Sequence, residues 1–182
     1  MKIILRTCAG REVWRDYLTT NIPELIVVQD KTNNAMDTFL TAMSITGNDA
    51  AVHIEDDIII TSDFCTKLYA VIAKMPVTVI QFFSMRKADL TIGSRFDYGR
   101  TFMMNQCFYL PHSYSKMILE YYPVWPQRER HKTGYDILIA DWLKFRKEKY
   151  WIHVPSLVQH RKCKSIINPR RPNNRQSITF EE

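Results

Sequence analysis

The stretch Ala51-Val52-His53-Ile54-Glu55-Asp56-Asp57-Ile58-Ile59-Ile60 decides how this chain folds. It reads as an apolar strand closed by three consecutive acids. Adjacent carboxylates repel, and burying them unpaired costs several kcal/mol each, on the order of a lost ion pair. No base lies within the ten residues before them, and Lys67 is the first base after them. The sequence therefore points to a divalent cation as the partner of the cluster, and oxygen ligands of this kind suit Mg²⁺ or Mn²⁺. A cation held this way commonly neutralises a diphosphate.

Working outward from that strand, apolar runs and helical periodicities alternate. Lys2–Leu5 reads as an opening strand, and Arg11–Thr20 as a helix with Val13, Trp14, Tyr17 and Leu18 at helical spacing. Leu25–Val28 reads as a second strand, ending at Gln29-Asp30. Asn33–Ile45 reads as a helix with Met36, Phe39, Leu40 and Met43 inward, stopped at Gly47-Asn48. After the acidic strand, Ser62 or Asp63 is placed to cap a helix over Phe64–Lys74. Val77–Phe83 is a β-branched and aromatic strand. This rhythm predicts an α/β domain with a mostly parallel sheet flanked by helices, in which nucleotides bind at the carboxyl ends of strands. Arg6-Thr7, Asp30 and Glu55-Asp56-Asp57 all fall at such ends, and Arg6, Arg11, Thr7 and Asp30 become candidate nucleotide contacts. No G-x-G-x-x-G or G-x-x-x-x-G-K-[ST] occurs.

Beyond Ser84 the pattern loosens. Met85–Thr101 reads as a loop, Phe102–Leu110 as a strand, and His112–Tyr122 as a helix. Pro123–Gly134 reads as a charged loop containing Trp125, a candidate acceptor contact. Tyr135–Lys149 follows as a helix with Ile137, Leu138, Trp142 and Phe145 inward, and Tyr150–Val158 as a last strand. The expected division is one domain over residues 1–160, its nucleotide half about 1–84 and its acceptor half about 85–160, with a basic tail over 161–182. The stretch Pro169–Gln176 is expected to be mobile.

The chain has 182 residues, enough for one continuous core. No apolar run approaches the roughly 20 residues of a membrane helix, and the N-terminal run stops at Arg6, too short for a signal peptide. The expectation is a cytoplasmic protein without a membrane segment. Four cysteines (Cys8, Cys65, Cys107, Cys163) sit far apart with no C-x-x-C pair and read as free thiols. The net charge of +6 is unevenly placed: residues 1–100 carry 11 bases against 12 acids, residues 101–182 carry 14 against 7. That asymmetry points to an anionic partner on the C-terminal side, either sugar-nucleotide phosphates or a nucleic acid.

The order of signals resembles glycosyltransferases of the GT-A type, and most closely the family of N-acetylglucosaminyltransferase IV. The matching pieces are His53–Ile59, Val79–Ser84, Tyr135–Leu143 and Pro155-Ser156-Leu157-Val158-Gln159-His160. The acidic motif followed about 80 residues later by Asp136-Ile137-Leu138-Ile139 and then P-S-L-V-Q-H is the specific part of the pattern. The sequence read is shorter than the branching enzymes, and the expectation is a member without their anchor and stem, as in a bacterial or viral enzyme, which would act in the host cytoplasm. Lys87–Leu110 has no clear counterpart among them.

The resemblance implies a single Rossmann-like GT-A domain that moves a sugar from a nucleotide sugar, a UDP-sugar above all, to an acceptor hydroxyl. Asp57 resembles the last acid of the D-x-D-type motif, the metal ligand, with Glu55 or Asp56 on the ribose or a metal-bound water. His160 resembles the second ligand of Mn²⁺ or Mg²⁺. Asp136 resembles the acid of the family's D-x-x-L segment, with Ile139 at the place of its Leu, and is the candidate base of an inverting transfer, which needs a carboxylate to take the acceptor's proton. Asp141 is the alternative, about 140° around the same helix. Lys162, Lys164 and Ser165 follow His160 and suit a loop closing over the diphosphate. The acceptor is either a glycan or small molecule, or a hydroxymethylated base in phage-type DNA, which would have to leave the stack. The rival reading is a non-catalytic nucleic-acid-binding module on a degenerate transferase fold. A nuclease or phosphatase built on the acid cluster is a third, and it leaves Gln159-His160 unexplained.

Overall fold

A computed structural model describes residues 1–163 and 175–182. Strands β1 (Lys2–Thr7), β2 (Leu25–Gln29) and β3 (Ala51–Glu55) alternate with helices α1 (Glu12–Asn21) and α2 (Ala35–Thr46). β1 pairs parallel with both neighbours, in a register that sets Arg6 opposite Val28 on one side and Glu55 on the other. One edge of the sheet thus collects the charged ends of three strands. α2 is capped by Asn34, whose side chain accepts from the Met36 N–H at 3.0 Å. It stops at Gly47, whose φ of 56° suits a residue without a Cβ.

The acidic segment does not continue as one strand. After β3 the chain turns at Asp56-Asp57, and β4 (Ile58–Ile60) leaves the main sheet to pair antiparallel with β9 (Val158–His160). α3 (Phe64–Lys74) follows. Its entry residue, Asp63, has a left-handed backbone and makes no side-chain cap, contrary to the expected role. β5 (Ile80–Gln81) is the paired part of the expected Val77–Phe83 strand. The segment expected as a loop at Met85–Thr101 instead holds a short helix α4 (Asp89–Ile92), the edge strand β6 (Arg95–Tyr98) and a 3₁₀ turn at Gly99–Thr101. Gly99 lies against the later helix α6 (Tyr135–Phe145) so closely that a Cβ there would come within 2.5 Å of Leu143 Cβ. Only the last part of Phe102–Leu110 is strand, β7 (Cys107–Leu110), and α5 (Tyr114–Tyr121) follows it. α6 ends four residues before the expected Lys149, which begins β8 (Lys149–Ile152). The expected strand Tyr150–Val158 is therefore the end of β8, a turn, and the start of β9.

The seven-stranded sheet has the order β2-β1-β3-β7-β5-β8-β6. β1, β2, β3, β5 and β8 run one way, while β7 and β6 oppose them. This is the mostly parallel α/β sheet expected. β7 shows the period-two logic of a strand buried on both faces. Cys107 and Tyr109 join Leu5, Leu18, Ile54 and Leu68 under α1 and α3. Phe108 and Leu110 join Phe39, Leu138, Trp142 and Tyr150 under α2, α5 and α6. His53 belongs to the core: it is fully buried, stacked on Phe108 with centroids 5.2 Å apart, and burial drives its pKa well below the usual value. Of the residues expected inward, Val13 and Phe145 face solvent, at 79% and 71% exposure. Among the described residues, no helix is long and apolar enough to cross a membrane.

Candidate active-site cleft

A cleft of about 460 Å³ opens at the carboxyl ends of β1, β2 and β3. Arg6, Thr7, Arg11, Asp30, Glu55, Asp56, Asp57 and Asp136 all line it, and Asp141 does not. The three consecutive acids have three different surroundings. Glu55 receives a hydrogen bond from the Tyr135 hydroxyl and lies 3.9 Å from Arg6. Burial and the charge of Asp57 push its carboxyl up to about 7, against the pull of Arg6. Asp56 accepts from the Cys8 N–H at 3.1 Å and from Arg11 at 2.9 Å. Asp57 meets Arg11 at 3.0 Å and His160 at 3.3 Å. Burial alone would raise the Asp57 pKa, but His160 and Arg11 outweigh it and hold the group down to about 2.

The expectation that no base serves the acid cluster is corrected here. Arg11 is far away in sequence, but the β1–α1 turn brings it across, 6% exposed, between Asp56 and Asp57. Its guanidinium also lies over Trp14 at 4.6 Å. Arg6 is equally enclosed. It sits over the Tyr135, Phe39 and Phe108 rings at 4.6, 5.5 and 5.5 Å, and donates to Asn105 O and the Tyr135 hydroxyl. Burial lowers its pKa to about 10. Both arginines are partners of the acids before they are partners of any phosphate.

Asp30, at the end of β2, turns one carboxylate oxygen to the Thr32 and Asn34 N–H groups, an Asx-type turn that presents the rest of the side chain to the cleft. Asp136 stands in the first turn of α6, where its Oδ1 accepts from the Ile137 N–H at 3.0 Å. Asp141 is engaged elsewhere, receiving the indole N–H of Trp125 at 2.8 Å. Trp125 is itself 3% exposed. It is core, not a sugar platform, which corrects its expected role.

Behind Asp57 lie β9 and the returning C-terminal segment, of which Arg175 lines the cleft. The pairing of Ile58 with His160, and the Arg161 N–H donating to Asp57 O at 2.8 Å, fix His160 beside Asp57. Cys163 folds back to the same place, so that ligand atoms of Asp57, His160 and Cys163 all lie within 4.8 Å of one another. The sequence reading took Cys163 as an isolated thiol. The His160-x-x-Cys163 spacing was the signal available for it. Arg175, also missed, approaches His160 Nε2 at 2.7 Å. Ser177 locks the returning segment by donating its N–H to Gln159 Oε1 at 2.8 Å and its hydroxyl to Ser156 Oγ at 2.8 Å. Arg175 and Gln176 are therefore placed against β9, although they fall in the stretch expected to be mobile. Lys162 is exposed and outside the cleft lining. Lys164, Ser165 and residues 169–174 lie outside the described residues.

The donor set fits a divalent cation. Asp57 Oδ1 is buried with no hydrogen-bond partner among the described residues. A carboxylate, an imidazole and a thiol converge there.

No family model matches the chain, and no curated protein matches it. Among solved structures, A197 from STIV is 14% identical with a TM-score of 0.48, over 88% of this chain and 85% of that one. UDP-glucose pyrophosphorylase from Acinetobacter baumanii is 12% identical with a TM-score of 0.46, over 82% of this chain and 60% of that one. Likeness at this level concerns the path of the chain and says nothing of what the cleft holds.

Proposed function

We propose that this protein is a metal-dependent glycosyltransferase of GT-A type, moving a sugar from a nucleotide sugar, a UDP-sugar first, to an acceptor hydroxyl with inversion. The observation that carries the reading is the meeting of Asp57, which lines the strand-end cleft, with the buried His160 behind it, about a hundred residues apart in sequence. Strand ends of an α/β sheet are where such folds bind nucleotides. Asp57 and His160 would hold Mn²⁺ or Mg²⁺, which when bound supplies the charge that neutralises the diphosphate leaving group. Asp30 and Thr7 line the nucleotide side, Asp30 as an acceptor for a base N–H. Arg11 orients Asp56 and offsets part of the burial that raises its carboxyl, and Arg6 offsets part of the larger rise at Glu55.

Asp136 is the base: it faces the cleft, whereas Asp141 is committed to Trp125. In an inverting transfer it takes the acceptor hydroxyl's proton as the oxygen attacks the anomeric carbon. The acceptor is a glycan or small hydroxylated molecule, or a hydroxymethylated DNA base. The basic C-terminal side is the feature in favour of DNA, and a steep loss of acceptor affinity with salt would support it.

Arg11 favours a second reading. It neutralises two of the three acids without any ion, so the cluster is also compatible with a non-catalytic nucleic-acid-binding module. The experiment that separates the two is a nucleotide-sugar panel read by thermal shift, with and without Mn²⁺, on the wild type and Asp57→Ala. A ligand at 100 times its Kd adds about 2.7 kcal/mol to the native state. A Mn²⁺-dependent shift with one UDP-sugar, lost in Asp57→Ala, is the expected result. No shift with any donor, beside tight salt-sensitive DNA binding, would sink the transferase.

A further inference from the structure

We propose that Cys163 is the third protein ligand of the cation site, and that the resulting Asp57–His160–Cys163 set takes Mn²⁺, Co²⁺ or Zn²⁺ and rejects Mg²⁺. This rests on the reading of Asp57 and His160 as metal ligands and narrows which metal they serve. The first support is placement. The antiparallel pairing of β4 with β9 fixes His160 opposite Ile58, next to Asp57. The Cys163 N–H donates to Arg161 O at 2.8 Å, a tight turn that returns the thiol toward the acid instead of sending it along the strand. The three ligand atoms then lie within 4.8 Å of one another, a spread that one ion can span with small side-chain adjustments.

The second support is an unspent acceptor. Asp57 is 7% exposed, and its Oδ1 has no partner among the described residues. A buried carboxylate oxygen left open costs free energy unless something fills it. The third support is the group now standing there. A guanidinium has only donors, so Arg175 at 2.7 Å from His160 Nε2 uses that nitrogen's lone pair, the pair a metal would need. Arg175 is a cation from the chain's own C-terminal segment at the position of the imidazole's acceptor, and it must turn aside for the ion to enter. The chemistry of the donors sets the selectivity. Thiolate is soft and imidazole borderline, which suits Zn²⁺, Co²⁺ and, less strongly, Mn²⁺. Mg²⁺ demands oxygen ligands in near-octahedral order. As the sulfur–metal bond forms, the thiol proton leaves to solvent.

The test is a Co²⁺ titration of the full chain, followed by absorption and by calorimetry, on the wild type and on Cys163→Ser, Cys163→Ala, Cys8→Ser and Asp57→Ala. Far-ultraviolet circular dichroism checks that each is folded. Cys8 is the control thiol, because its Sγ lies 3.9 Å from Asp56 Oδ2. The expected result is a thiolate-to-cobalt absorption band in the wild type and Cys8→Ser, absent in both Cys163 variants. Loss of partners outside a metal's own ligands already costs about 10–100-fold in affinity, so each Cys163 variant should bind Co²⁺ at least about tenfold more weakly. Zn²⁺ should displace Co²⁺, and excess Mg²⁺ should not. Co²⁺ binding lost in Asp57→Ala but unchanged in both Cys163 variants, with no thiolate band, would overturn Cys163 as a ligand and leave the metal reading standing. No Co²⁺ or Mn²⁺ binding by the wild type would overturn both.

Discussion

On the N-terminal wall of the cleft, Arg11 closes on Asp56 at 2.9 Å and on Asp57 at 3.0 Å. On the side facing β9, the same Asp57 keeps its Oδ1 buried without a partner among the described residues. One side spends its charges within the chain; the other keeps an acceptor atom open. The same contrast recurs along α6, where Asp141 is tied to the Trp125 indole while Asp136 lines the cleft. Carboxylates with complete sets of partners hold the fold, and those left with open lone pairs can hold something else. The number of acids in a motif does not separate the two kinds, whereas the partners that tertiary structure brings to them do.

The largest effect should follow from breaking the closed wall. Arg11→Met leaves Asp56 and Asp57 buried without their cation. Removing one partner of a buried pair typically costs about 3–5 kcal/mol, to be read as a lower urea midpoint at unchanged slope. Mn²⁺ should restore part of the loss, because it supplies the missing charge at Asp57. A loss below about 1 kcal/mol would mean that the acids are solvated and that the contrast between the two sides is false.

On the open side the expected effect is on rate. Asp136→Asn should lower kcat by about 10²–10⁴-fold, the usual contribution of a general base. The donor-induced thermal shift should stay as in the wild type. Asp141→Asn should leave kcat within about threefold, on the order of 0.6 kcal/mol of barrier. Equal losses in the two variants would remove the distinction drawn along α6.

These two predictions also show where the sequence ran out. The βα units through β3 were readable because their cues are local: apolar runs, helical spacing around Met36, Phe39 and Met43, and the stop at Gly47. The acids at strand ends were readable for the same reason. The pairing of Arg11 with Asp56 was not, because it depends on how the β1–α1 turn sits against the end of β3. β7 has a clean apolar pattern, yet nothing local says that it inserts antiparallel between β3 and β5. The split of Tyr150–Val158 into strands of two different sheets was hidden likewise, and with it the register that brings His160 to Asp57. Trp125 was misread because its Pro-flanked surroundings look like a loop, and its partner Asp141 comes from a helix still to follow.

A smaller effect is expected from pH away from the cleft. His153, just after β8, donates its backbone N–H to Gln81 O at 2.9 Å and packs its ring against Phe82. Burial, with a minor contribution from Lys74, lowers its pKa to about 4. The unfolded chain binds that proton near pH 6.5, so between about 6.5 and 4 the unfolded state holds more protons. The stability associated with neutral His153 is complete above about pH 6.5 and is lost as pH falls through 4, by about 3 kcal/mol in all. Thermal melts of wild type and His153→Gln across this range should converge as the pH falls. Parallel curves would mean that the imidazole is solvated.

The smallest effect is expected where a carboxylate has its partner and serves no ligand. Trp125→Phe keeps most of the ring that packs with Tyr122 and His131 but removes the N–H that satisfies Asp141. A hydrogen bond to a charged acceptor contributes about 1.5–3 kcal/mol. Asp141 is half-buried, so water can replace part of that bond, and the expected cost is nearer about 1 kcal/mol. Asp141→Asn should cost no more, since its amide oxygen still accepts from the indole. A double-mutant cycle of Trp125→Phe with Asp141→Asn should therefore show coupling of about 0.5–1 kcal/mol. Donor binding and Co²⁺ affinity should be unmoved in all three variants. Any shift of either would mean that Asp141 reaches the cleft after all, and that α6 serves it with two carboxylates instead of one.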